Sequence, residues 1–128
     1  MAPDRLVRNP APVFPGISDS VRVSSGDLLF VSGAVGYEDD GSAPADFERA
    51  VQLTYAQLRR ALEAGGASFA DLVRVNVYIV GLDERRLAVW RSARDRIVGT
   101  HELPASTLIG VQSLVGGAQI EVDAIAAV

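Results

Sequence analysis

The stretch Leu62-Glu-Ala-Gly-Gly-Ala-Ser-Phe-Ala-Asp-Leu-Val-Arg-Val-Asn-Val-Tyr78 decides the fold. It starts as the end of a helix, stops at Gly65-Gly66 and passes into a strand. Val73, Val75, Val77 and Ile79 alternate with Arg74, Asn76 and Tyr78, the period-two pattern of a half-buried strand. Upstream, Phe47, Val51, Leu58 and Leu62 lie on or near one helical stripe, with Thr54 and Ala61 beside them. Pro44 and Asp46 supply the start signals of that helix. Downstream, Asp83 and Glu84 favour a second helix start through the macrodipole. Leu87, Trp90, Ala93 and Ile97 give its buried face, and Gly99 stops it. The strand therefore stands alone between two helices.

Both flanks of this unit read as strands. Arg5–Arg8 is a short candidate strand, ended by the loop Asn9–Gly16, whose prolines forbid regular pairing and suggest a stiff surface arm. Val21–Ser24 and Leu28–Ser32, joined by Ser25-Gly-Asp27, read as a hairpin. The acidic loop Gly33–Ala43 then leads to the first helix. After the second helix come strands at about Ser106–Leu114 and Gln119–Ala127, turned by Gly116-Gly117. The order β-β-β-α-β-α-β-β argues for an α+β fold, a single domain over residues 1–128 with two helices on one face of a mixed sheet. The other face carries apolar side chains too, Leu108 and Gly110 or their alternates, and a homo-oligomer is the economical cover.

Composition excludes several classes. A chain of 128 residues can bury a core but supports one domain. No apolar run is long enough for a membrane span, and the start Met1-Ala-Pro-Asp-Arg5 has no apolar leader core. Cysteine is absent, which removes disulfides, thiolate metal sites and thiol nucleophiles and leaves the compartment open, with the cytoplasm as default. The basic residues are all arginine, so lysine Schiff-base chemistry is excluded. Net charge is −4 and the arginines are scattered among acids, which argues against nucleic acid as a partner.

Few residues carry independent chemical signals. His101, the only histidine, sits in a Gly-Thr-His-Glu loop and reads as solvated, with acid–base work as the alternative. One histidine without cysteine gives no transition-metal site, and Asp39-Asp40 lacks a calcium-loop pattern. No phosphate loop is present, and no cofactor is expected. Arg94 and Arg96 read as dipole compensation on an exposed helix end, with the alternative that one turns into a cleft. Ser106 and Thr107 could orient a ligand through their hydroxyls or be ordinary strand residues, and no triad is readable around them. Glu121, flanked by Ile120 and Val122, points to the opposite face from both.

Taken in order, Leu29-Phe-Val-Ser-Gly33, Leu62–Tyr78, Pro104-Ala-Ser-Thr-Leu108 and Ile120-Glu-Val-Asp-Ala-Ile-Ala126 resemble the Rid family, also called YjgF or endoribonuclease L-PSP-like. The similarity runs from about Phe14 to Ala126. It implies a chorismate-mutase-like fold with a six-stranded mixed sheet, a barrel-like homotrimer and ligand clefts between subunits. Family deaminases hydrolyse reactive imines and enamines there. An arginine fork pairs the substrate carboxylate, and a glutamate orders the attacking water. The arginine, a backbone amide and the glutamate come from one subunit, a tyrosine and the Ser-Gly strand end from its neighbour.

Carried onto this chain, the resemblance makes Glu121 the catalytic glutamate and Ser32-Gly33 the strand end. Ser106 stands at the arginine position, Leu108 where many members have cysteine, and Ile17 at the tyrosine position. Ser106, Thr107, Leu108, Ser32, Gly33 and Ile17 thus form the expected substrate pocket, more apolar and less anion-selective than in the deaminases. The expected activity is hydrolysis of an imine, enamine or related electrophile without a carboxylate. The alternative is a non-catalytic trimer that binds a small ligand or a partner protein.

Overall fold

The computed structural model describes residues 5–128, so the leader reading of residues 1–4 lies outside the described residues. Strands β1 (Leu6–Pro10), β2 (Ser18–Val23) and β3 (Leu28–Ala34) precede helix α1 (Phe47–Ala64). Strand β4 (Leu72–Val80), helix α2 (Glu84–Val98), β5 (Ala105–Val111) and β6 (Ile120–Ala127) follow. The element order is the one the sequence predicts. Both helices begin where an aspartate caps them: Asp46 accepts from the Arg49 amide and Asp83 from the Arg86 amide, at 2.9 and 2.8 Å.

All six strands form one mixed sheet in the order β1-β2-β5-β4-β6-β3. β4 and β5 run parallel, while β6 pairs antiparallel with both β4 and β3. The helices pack on the face made by Val75, Val77, Ile79, Ile120, Val122 and Ala124. Leu58 and Leu62 of α1 are fully buried there, each contributing about 1.5–3 kcal/mol relative to exposure. Trp90 on α2 donates to the Tyr55 hydroxyl on α1 at 3.1 Å, a buried tie between the helices.

Strand pairing departs from the sequence reading in three places. The predicted hairpin of the second and third strands does not form. The Ser24 amide donates to the Arg5 carbonyl, while Asp27 exchanges both backbone bonds with Val128. Each end of the turn is thus claimed by a different strand, and β2 and β3 end up far apart in the sheet. The last two strands are likewise not neighbours, because β4 lies between β5 and β6. The connection from Gln112 to Gln119 is long enough to step across β4. Finally, β1 reaches Pro10, beyond the predicted end, through a register shift after Asn9. An edge strand tolerates the missing proline N–H there.

Candidate functional site

The register of β4 with its neighbours assigns each candidate residue to a face. Ser106 pairs with Val75 and Leu108 with Val77, so both point to the helix side. Glu121 pairs with Tyr78, and Thr107 with Asn76, so both point to the open side. Adjacent strand residues point their side chains to opposite faces, and the side chains of Ser106 and Thr107 therefore part company. Leu108, expected on the uncovered face, instead packs against the core; its alternate Ile109 is the exposed residue. Within one chain the resemblance's grouping of position 106 with the glutamate is not met: the two lie on opposite faces of the sheet.

On the helix side, Ser106, Leu108 and Ile17 line a cavity of about 270 Å³ between β5 and α2. Trp90, Arg91 and Arg94 complete its α2 wall, and Phe14 stands at the loop side. A second, smaller cavity of about 20 Å³ shares Ile17, Trp90, Arg94 and Ser106 with the first and is lined also by Tyr55. Ile17 thus joins Ser106 within the same chain, although the resemblance draws the two positions from different subunits.

Arg94 is only 6% exposed, so the expectation that it compensates the helix dipole on an exposed face is corrected. Its guanidinium carbon lies 4.5 Å from the centre of the Trp90 ring. Its Nε and Nη2 both donate to one oxygen of Asp95, at 3.1 and 2.8 Å. Gly16 passes so close that a Cβ there would overlap the guanidinium, and its φ of +79° is a left-handed value that favours glycine. Arg91 has a buried Nε without a hydrogen-bond partner among the described residues. Arg94 instead follows the alternative reading, in which one of the two arginines turns inward, and α2 brings positive charge to the cavity beside Ser106. The signal was present in the sequence, since Leu87, Trp90 and Arg94 share one helical stripe. Arg96 behaves differently, being exposed and paired with Glu48 at 2.5 Å.

The open face is polar at its centre. Arg74 donates to Thr107 Oγ1 and Asn76 Oδ1, at 2.5 and 3.2 Å. Asn76 and Tyr78 donate to the two oxygens of Asp123, at 2.8 and 3.2 Å. The hydrogen bond to Asp123 raises the Tyr78 pKa, because ionisation would set two negative oxygens together. Beside this network, the half-buried Glu121 has neither an arginine partner nor a hydrogen bond among the described residues. Its carboxylate rests against Gly33, at the register shift where β3 leaves its regular pairing with β6. Of the strand end Ser32-Gly33, it is thus Gly33 that lies at Glu121. Tyr55, beneath the helix-side cavity, has its pKa pushed up to about 12 by burial and stays a neutral hydroxyl.

The remaining candidates stay apart from both places. His101 is exposed in the loop before β5. Asp40 accepts from the amide and hydroxyl of Ser42 and serves its own turn. No cluster of potential metal ligands occurs among the described residues. No helix among them is long and apolar enough to cross a membrane.

Comparison with known proteins agrees with this architecture. The family described as Endoribonuclease L-PSP matches residues 16–128. The RutC family protein YjgH of Escherichia coli is 34% identical over 97 residues, covering 76% of this chain and 73% of the relative. A 2-iminobutanoate/2-iminopropanoate deaminase of Dermatophagoides farinae is 23% identical over 98% of this chain and 97% of its own. Among solved structures, the Rid protein YyfB of Yersinia pestis superposes with a TM-score of 0.86 at 28% identity. That match covers 98% of this chain and all of the other.

Proposed function

Because the chain belongs to the Rid family, the Endoribonuclease L-PSP group, we propose that it hydrolyses the C=N bond of a small imine, or of an enamine after tautomerisation. It works as a homotrimer in the cytoplasm, with its site in clefts between subunits. The observation that supports this is Glu121: a half-buried acid with no cation or hydrogen-bond partner among the described residues, beside a bared backbone at Gly33. An acid so placed is available to a water molecule. The named deaminase among the relatives points to the same reaction class.

Opposite placement across the sheet sets the assembly this reading needs. One subunit contributes the cavity of Ser106, Leu108 and Ile17, and its neighbour contributes Glu121 with Ser32 and Gly33. Glu121 accepts a hydrogen bond from water and directs the oxygen at the imine carbon. As the C–O bond forms, the C=N electron pair moves to nitrogen. Glu121 takes the proton released by the water and returns it to that nitrogen. In the second step Glu121 takes the proton of the new hydroxyl and passes it to the amine nitrogen; the C–N bond breaks, and the adduct collapses to the carbonyl and ammonia. No cofactor enters this scheme. With a net charge of −4 and no basic track among its scattered arginines, the chain offers RNA no comparable surface.

The test is imine hydrolysis with substrates generated in situ: 2-iminopropionate, 2-aminoacrylate and the imine of an uncharged ketone. Carbonyl release above the spontaneous rate, lost in Glu121→Ala while the assembly persists, is the expected result. A wild-type protein that accelerates none of them overturns the proposal in favour of a ligand-binding trimer.

A further inference from the structure

We propose that Arg94 is the anion anchor of the helix-side cavity, and that this cavity takes a small monocarboxylate with an apolar, ring-sized body. The inference rests on the reading of this cavity as the ligand-binding half of the site, but its chemistry is that of binding alone. Two guanidinium groups, Arg91 and Arg94, line the cavity, and no carboxylate side chain does. Asp95 occupies Nε and Nη2 of Arg94 through a single oxygen. Nη1 has no acceptor among the described residues, and the Nε of Arg91 is buried without one. The buried Arg91 Nε left without an acceptor is costly, and an anion in the cavity would supply a partner to it or to Nη1 of Arg94.

Arg94 is also pre-organised for this task. The Trp90 ring and the Gly16 backbone hold the guanidinium in place before any ligand arrives. Other than these cations and the Ser106 hydroxyl, the walls are apolar: Phe14, Ile17, Leu87 and Leu108. The volume of 270 Å³ corresponds to about nine water molecules, enough for a ligand of roughly ten heavy atoms and below the usual drug-sized pocket. Charge at one end, apolar contact elsewhere and limited volume together define an aryl- or alkyl-substituted small acid.

Position 106 fits the same logic. Ser106 and Arg94 together line both this cavity and the smaller one beside it. An arginine at 106 would set a second guanidinium against Arg94, so the two positions are alternative seats for one charge. A serine at 106 leaves the space that Arg94 occupies.

The test uses Trp90, the only tryptophan of the chain, as a fluorescence reporter, backed by calorimetry. Phenylacetate and its uncharged isostere phenylacetamide are titrated into the intact wild-type protein. Phenylacetate should bind at least about tenfold more tightly than the amide, and Arg94→Met should erase that preference by about tenfold to a hundredfold. Arg94→Lys should retain part of it, and the exchange of Arg94→Ser with Ser106→Arg should restore it. Equal binding of the acid and the amide by the wild type overturns the proposal without recourse to any variant. So does an unchanged preference in folded Arg94→Met. A wild-type protein that hydrolyses no imine yet prefers phenylacetate to its amide sinks the hydrolase reading and leaves the anchor standing.

Discussion

Gly33 lies against the carboxylate of Glu121 so closely that a methyl group at position 33 would overlap it. The contact arises at the register shift between β3 and β6, where two strands that elsewhere pair regularly open around one acid. Gly33→Ala should therefore impair hydrolysis almost as much as Glu121→Ala, although the glutamate is still present. Loss of a positioned general base reduces rates by about 10²–10⁴-fold. Steady-state carbonyl release by both variants checks this, with circular dichroism to confirm the fold. A Gly33→Ala protein as active as the wild type would show that the glutamate need not sit where it does.

Gly16 plays the matching part on the helix side. Its left-handed φ of +79° strains any L side chain, and a Cβ there would overlap Arg94. Gly16→Ala should cost about 1–3 kcal/mol of stability and change the Trp90 emission as the guanidinium leaves the ring. Urea denaturation measures the first effect, and the emission spectrum of the folded variant the second. An unchanged spectrum would mean that Arg94 holds its place without the loop.

The contrast between the two glycines reflects what the sequence could and could not convey. Asp46 and Asp83 mark both helix starts, and the stripes through Leu58 and Trp90 are legible because capping and period are local properties. Partner choice among strands is not local. The Gly26-Asp27 turn reads as a hairpin, yet Val128 takes both backbone bonds of Asp27. In the same way β4 enters between β5 and β6, two strands the turn residues alone would pair. Facing depends on register, and the register sets Ser106 and Glu121, which the resemblance groups in one pocket, on opposite faces of the sheet. Arg94 shares the stripe of Trp90, while its place near the helix end reads equally as dipole compensation, and the stripe decides.

Tyr55 predicts an alkaline transition. Burial pushes its pKa to about 12 in the folded chain, whereas an unfolded tyrosine ionises near about 10. Below the unfolded value both states are protonated, and the group confers no pH dependence. Between the two values the unfolded chain loses its proton and the folded chain keeps it, so stability falls as pH rises, on the order of 1 kcal/mol per unit. Tyr55→Phe should remove this part of the slope. It also leaves the Trp90 indole N–H without its acceptor, at a neutral-pH cost of about 1–3 kcal/mol. Denaturation midpoints from pH 8 to 11.5 for the two proteins check both effects. Parallel pH profiles would place the alkaline sensitivity elsewhere, with Tyr78 as the next group to examine.

Phe30 on the edge strand β3 is 70% exposed, and its pairing with Ile125 sets it on the open face of the sheet. Leu28 and Ile109 add exposed apolar surface on that face. A bare edge with apolar side chains is an association surface, and the proposed hydrolysis, which draws the Ser106 cavity and Glu121 from two subunits, depends on association. Phe30→Glu should shift the protein toward the monomer in sedimentation and abolish turnover. Binding of phenylacetate in the Ser106 cavity should survive, because Ile17, Trp90, Arg94 and Ser106 come from one chain. A monomeric variant that still hydrolyses imines would show that one chain suffices, and would remove the need for a shared cleft.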